Sequence, residues 1–180
     1  MPPIIPQVVG LLAVATFLLS YQQKKRRHII LFNVTSRVLY ILQYLLLGAF
    51  SGAVLDVMGA VSSVLAGKKS SFTKRQQLAV LLSLNAVIVA VGLLIAWWNK
   101  SLLDLLPIAG VLLHTGAFWI SNEKIIRRIS LLGSPFWFVY NFCSAAYGSA
   151  VGDVLTMVSI LIAMVKYRKE PAPHERETTA

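Results

Sequence analysis

"AVLDVMGAVSSVLA", residues 53–66, recurs as "AVGDVLTMVSILIA", residues 150–163, with seven of fourteen positions identical at a fixed offset of 97. Each copy holds one aspartate, Asp56 or Asp153, inside an apolar run. The composition says what surrounds that repeated charge. Of 180 residues, 57% are hydrophobic and only 13% charged, and the mean hydropathy is +0.70. So few charges cannot cover a soluble domain of this size, and the chain reads as membrane-embedded. The single cysteine, Cys143, excludes an intramolecular disulfide framework. The opening "MPPIIPQVVGLL" lacks a basic region, so a cleaved signal peptide is not expected.

Working outward from the repeat, the apolar segments run over 4–21, 29–48, 51–67, 78–98, 102–120, 129–147 and 149–167. Each is close to the roughly 20 residues that cross a hydrocarbon core, the third being short. No water reaches backbone groups at that depth, so all seven are expected to be helices. Segments two and three are separated only by "GAFSG", and six and seven only by "AYGSA". Small residues there predict tight hairpins. The fold class is therefore all-α integral membrane, with seven transmembrane helices.

The basic residues orient these spans. Lys24, Lys25, Arg26 and Arg27 follow the first span, and Lys68, Lys69, Lys74 and Arg75 the third. Lys124, Arg127 and Arg128 follow the fifth, and Lys166, Arg168, Lys169 and Arg176 the seventh. Between the alternate spans only Lys100 remains, while Arg37 lies within a span. The positive-inside rule then places the N-terminus outside and the C-terminus in the cytoplasm. The net charge of +10 follows from that topology and from attraction to anionic lipid. Scattered over separate short loops, these residues form no nucleic-acid recognition module. The polar end "KEPAPHERETTA" is expected to be a disordered cytoplasmic tail, residues 168–180.

The repeat extends beyond the opening stretch. At offset 101, Pro6, Leu11, Leu12, Phe17, Ser20, Arg26, Arg27 and Leu31 match Pro107, Leu112, Leu113, Phe118, Ser121, Arg127, Arg128 and Leu132. The offset drops to 97 further on, implying a net four-residue deletion in the second copy. Two three-helix repeats, 1–67 and 102–167, thus flank a linker helix, 78–98. A single intervening span restores the direction of the chain. The repeats are then parallel, in a 3+1+3 arrangement about an axis along the membrane normal.

That arrangement resembles the SWEET sugar carriers, the PnuC vitamin transporters and other PQ-loop proteins. The stretches "YLLLGAFSGA" (44–53), "LLPIAG" (105–110) and "SPFWFVYNFCSAAYGSAVGDVL" (134–155) are similar, in order and spacing, to the YgjV-like family of bacterial inner-membrane proteins. The resemblance covers most of residues 1–170 and implies a seven-helix protein of the bacterial plasma membrane, with no established substrate. The "PQ" at Pro6–Gln7 is not matched at Pro107–Ile108.

Polar residues within the spans mark the candidate site. Asn33, Ser36, Arg37, Tyr40, Gln43 and Tyr44 fall on one face of the second helix. Ser130, Ser134, Trp137, Asn141 and Ser144 do the same on the sixth. Such faces are unfavourable against lipid and should point into the bundle or a wet cavity. Amides and hydroxyls beside Tyr40, Trp137 and Tyr140 suit a small neutral polar ring-shaped solute, such as a sugar, nucleoside or vitamin. The candidate substrate-binding residues are Asn33, Tyr40, Gln43, Trp137, Tyr140 and Asn141. Interhelical hydrogen bonds that only hold helices together are the plainer alternative.

Arg37, Asp56, Asp153 and His114 are the candidate gating or charged groups. Arg37 lies near mid-depth, where an arginine needs a carboxylate, carbonyl or water, and Asp56 is its neighbour across the hairpin. The sixth helix offers Asp153 no equivalent cation. His114 is the only histidine in a span, and a lone histidine in a bundle is more often a hydrogen-bonded packing residue than a proton relay. Pro6 and Pro107 occupy matching first-turn positions, and Trp97–Trp98 reads as an interfacial anchor. One cysteine and three dispersed histidines predict no metal site, and no phosphate-binding loop, nucleophile elbow or H-E-x-x-H motif is present.

The expectation is thus a non-enzymatic carrier without cofactor, contacting the lipid bilayer and a small polar solute, with self-association left open. A membrane-embedded scaffold or assembly protein is the rival reading. The charge asymmetry predicts that reporter fusions after residues 50, 100 and 148 read outside. Fusions after 70, 124 and 172 should read inside. A C-terminal fusion that reads outside overturns both the orientation and the parallel repeat.

Overall fold

The computed structural model describes residues 3–21, 26–120 and 123–166, except for the side chains of residues 20, 21, 26–30, 33, 118 and 123. The tail expected at 168–180 and the side chain of Asn33 lie outside this description. The described chain forms α1 (Ile4–Tyr21), α2 (Arg26–Leu47), α3 (Phe50–Gly67), α4 (Lys74–Asn99), α5 (Leu105–Trp119), α6 (Glu123–Cys143) and α7 (Tyr147–Lys166). Single 3-10 turns at Lys69–Ser71 and Leu102–Asp104 precede α4 and α5. By length and composition α3, α4 and α7 can each cross a bilayer, and shorter apolar helices cover Ile4–Leu19, Val34–Leu47 and Leu102–Ala117.

Six helices close a ring in the order α1, α2, α3, α5, α6, α7 and back to α1, and α4 packs outside it against α3 and α5. The ring is polar within and apolar without. Ser36, Gln43, Ser51, Asp56, Ser62, Ser134, Asn141 and Ser149 are buried. Val38, Leu42, Leu45, Val139 and Phe142 on the opposite faces of α2 and α6 are exposed. That inversion is what a hydrocarbon solvent demands, because lipid is indifferent to leucine but penalises an unpaired amide.

The two hairpins have the same construction. α2 ends with Gly48 at φ 70° and α6 with Ala145 at φ 56°, both left-handed. Gly48 N–H donates to the Leu45 carbonyl at 3.2 Å and Ala49 N–H to that of Tyr44 at 2.9 Å. Ala145 and Ala146 donate likewise to Phe142 and Asn141 at 3.2 and 2.8 Å. Each pair is a Schellman cap, 97 residues from its counterpart. The breaks are therefore at Gly48–Ala49 and Ser144–Ala146. Phe50–Gly52 and Tyr147–Ala150, expected in the connections, are already helical. In the second hairpin Gln7 of α1 holds the turn, donating to Ala145 O at 2.7 Å and accepting from Gly148 N–H at 3.0 Å.

α4 begins four residues earlier than the hydropathy suggests, because Thr73 and Gln76 form a capping box. Gln76 N–H donates to Thr73 Oγ1 at 3.3 Å, and Thr73 N–H donates to Gln76 Oε1 at 2.9 Å. At the other end Lys100 adopts φ 51° and caps the helix, leaving Trp97 and Trp98 exposed beside it. The Gln7 bonds to Ala145 and Gly148, with that from Ser51 to Asp104, gather both hairpins, the start of α1 and the α4–α5 turn at one end of the ring, the hairpin end. Lys69, Lys74, Arg75, Lys124, Arg127, Arg128 and Lys166 belong to the opposite, basic end. There Lys69 Nζ donates to Ile120 O at 3.4 Å.

α1 and α7 approach backbone to backbone. A Cβ added to Gly148 would lie 2.8 Å from Gln7 O and 3.1 Å from Gly10 Cα. Gly148→Ala should therefore lower unfolding stability in detergent by about 1–3 kcal/mol. A Cβ at Gly116 meets nothing within 4 Å, so Gly116→Ala should be neutral or stabilise by up to about 1 kcal/mol. Equal losses for the two variants would show that close α1–α7 packing is not what Gly148 provides.

Candidate functional site

The ring encloses a cavity of about 640 Å³ to which all six of its helices contribute. It extends from Tyr44, Asn141 and Ser149 near the hairpin end to Leu18, Ile126, Arg127 and Ala163 at the basic end. Of the residues expected at a site, Tyr40, Trp137 and Asn141 line it, as do Arg37, Asp56, Asp153 and His114. Thr156 and Ser159 of α7, not anticipated from the sequence, line it as well.

Gln43 and Tyr140 do not line the cavity, contrary to the expected binding role. Each lies one residue before a lining group, Tyr44 or Asn141, and one step of about 100° turns it away from the cavity. They cross the seam between the bundles instead. Gln43 Oε1 accepts a hydrogen bond from Ser149 Oγ on α7. Tyr140 OH pairs with Ser51 Oγ at 2.7 Å and accepts from Gly52 N–H at 2.9 Å on α3. Between them Tyr44 OH donates to Asn141 Oδ1 at 2.8 Å, directly joining α2 and α6. The rings of Tyr44 and Trp137 stack at 6.3 Å, and that of Tyr140 meets both edge-on at 6.2 Å. Polar bonds and aromatic rings together shut the hairpin end.

A carboxylate that the sequence pattern does not single out anchors this closure. Asp104, buried at the start of α5, accepts from Ser51 Oγ at 2.6 Å and from Asn99 Nδ2 at 2.7 Å. An aspartate just before an apolar helix reads as an N-cap, yet its side chain caps nothing here. Both oxygens are instead engaged from α3 and α4, so a chain of hydrogen bonds runs from Tyr140 through Ser51 and Asp104 to Asn99. Only the packing of α3 against α5 could reveal it.

The charged groups sit deeper. Asp56 and Asp153 each lie six residues into their helices, about 9 Å along the axis. Arg37 Nη1 donates to Asp56 Oδ1 at 2.5 Å, the single ion pair among the described residues. Gly59 makes room for it, since a Cβ there would lie 2.9 Å from Arg37 Nη1. Asp153, expected without a partner on α6, does have one. Asn141 Nδ2 donates to Asp153 Oδ2 at 2.7 Å, an amide serving where a cation was sought. His114 Nδ1 donates to the Gly110 carbonyl at 3.0 Å, since that oxygen only accepts. The imidazole is thereby held against its own helix, with Nε2 left as the acceptor.

With side chains 16% and 9% exposed, Arg37 and Asp56 are a largely buried pair. Arg37→Gln or Asp56→Asn should each cost about 3–5 kcal/mol, because either strands its partner's charge in a low dielectric. The double variant should recover part of the combined loss in a double-mutant cycle on unfolding. Strictly additive losses would remove the pairing as a source of stability.

Residues 4–171 match the family model Imp-YgjV, described as a bacterial inner membrane protein. No curated protein and no solved structure matches the chain. A six-helix ring with a polar interior, an apolar exterior and one outer helix agrees with that match, which covers nearly the whole chain. The protein belongs to the Imp-YgjV family of bacterial inner membrane proteins.

Proposed function

We propose that the protein passes a small neutral polar solute across the membrane by rocking one three-helix bundle, α1–α3, against the other, α5–α7. The observation that carries this reading is the cavity between α2 and α6, extending to the basic end and shut at the hairpin end. A volume of about 640 Å³ is within the usual range for small-molecule sites. Tyr40 and Trp137 offer ring faces, while Ser36, Ser134 and Asn141 belong to the polar lining. Placing the basic end in the cytoplasm, as the loop charges favour, makes this the inward-facing arrangement.

The bonds at the hairpin end support the rocking. Gln43 and Tyr140 are 97 residues apart, and so are their respective partners Ser149 and Gly52, counted in the opposite direction. Tyr44 and Asn141, also 97 apart, bond to each other. A two-fold axis passing between Tyr44 and Asn141 produces both regularities, and it would relate the two bundles as parallel repeats. Hydrogen bonds between membrane helices contribute only about 0.6 kcal/mol each. Those crossing the seam therefore amount to a few kcal/mol, which solute binding can offset.

Single cysteines at Ser130, Thr156 and Ser159, in a Cys143→Ala background, should react with a small water-soluble thiol reagent. Cysteines at Val38, Val139 and Val158 on the outer faces should react at least tenfold more slowly. Lining positions as inert as these controls would mean a dry seam and favour the scaffold reading.

A further inference from the structure

Three carboxylates occur in the described helical region outside the unplaced side chain of Glu123, and they are satisfied very differently. Asp56 has the guanidinium of Arg37 against Oδ1, a full positive charge, while its buried Oδ2 has no partner among the described residues. Asp104 has two donors, Ser51 and Asn99, at the hairpin end. Asp153 faces the cavity, and among the described residues it accepts from a single neutral donor, Asn141 Nδ2, through Oδ2. Its Oδ1 accepts nothing there. An ionised carboxylate at membrane depth needs a positive charge or several donors, and one amide supplies neither.

The other titratable or charged groups facing this cavity do not fill that role. Arg37 of α2 is engaged by Asp56 of α3. His114 of α5 is held by its own helix, Tyr44 of α2 donates to Asn141, and Arg127 of α6 lies at the basic end of the lining. Tyr40 of α2, whose hydroxyl lies 3.2 Å from where a Cβ on Gly152 would sit, is a neutral phenol and brings no positive charge. The cavity thus has room for one more positive charge at Asp153. Moreover, Asn141 is shared: its Nδ2 serves Asp153 while its Oδ1 receives Tyr44, the direct bond between α2 and α6. Whatever neutralises Asp153 weakens the pull on Asn141 and, through it, the closure at the hairpin end.

Resting on the carrier reading, we propose that Asp153 is the site of a single coupling charge, a proton or an alkali-metal ion, taken up alongside the neutral solute. Asn141 is its positioning residue, transmitting occupancy to the Tyr44 contact. An alkali-metal ion would complete its oxygen shell with water from the cavity; a proton would need only the open Oδ1. In either case the carboxylate is the one group whose removal abolishes the effect.

The test is thermal unfolding of the full-length protein in detergent, in two arms. At fixed ionic strength and mildly alkaline pH, N-methylglucamine chloride is replaced by sodium or potassium chloride. In the second arm pH is raised from mildly acidic to mildly alkaline with N-methylglucamine as the only cation. An alkali-ion site predicts a saturable rise, on the order of 5 °C at about a hundred times Kd, absent from Asp153→Asn. A proton site predicts no alkali-ion effect but a fall in unfolding temperature as pH rises, flattened by Asp153→Asn. Asn141→Ala, which keeps the carboxylate and removes its one donor, should enlarge whichever dependence the wild type shows. This second variant decides the matter where Asp153→Asn does not fold. Wild type without either dependence, or variants that track it in both arms, overturns the proposal. A lining that still reacts with the thiol reagent would then leave solute passage standing and remove only the coupled charge.

Discussion

A guanidinium in the hydrocarbon layer must find a compensating group, and Arg37 finds Asp56 at 2.5 Å. Much of the ring's geometry is consistent with that one requirement. The pair turns the polar face of α2 toward α3 and inward, which also carries Ser36, Tyr40 and Tyr44 to the cavity. The opposite face, with Val38, Leu42 and Leu45, is left to lipid. Glycine is needed where the guanidinium passes α3, and Gly59 stands there. The same penalty on unpaired polar groups orders α6, where Ser134 and Asn141 are buried while Val139 and Phe142 are exposed.

The two halves share backbone construction but differ in side-chain chemistry. The hairpins repeat the same two capping bonds, with a left-handed residue at Gly48 and at Ala145. At the position of Arg37 the second half has Ser134, and at that of Tyr44 it has Asn141. Asp56 is consequently held by charge and Asp153 by an amide. Each carboxylate is held through one oxygen, but Asp56 has a full positive charge against it and Asp153 only a neutral amide. The Tyr140–Ser51–Asp104–Asn99 chain extends the closed seam outward to the start of α5 and the end of α4. The outer helix α4 is thereby tied to the same end that would have to open.

Residue order alone determined the membrane class, the helix count, the inward polar faces and the approach of Arg37 to Asp56. These are local or compositional properties: hydrocarbon demands helices, helical spacing sets a face, and a tight hairpin brings its two arms together. The second hairpin breaks two residues before its small-residue stretch, because a Schellman cap with alanine at the left-handed position has no strong residue signature. Only tertiary structure decided that Asn141 serves Asp153, and that Gln43 and Tyr140 seal the seam while their neighbours line the cavity. It likewise decided that Asp104 ties α3 to α4. The bonds of Gln43, Tyr140 and Ser51 join helices from the two halves of the ring, far apart in sequence. Where a side chain on such a face ends depends on which helix stands opposite, and that is set by the closing of the ring.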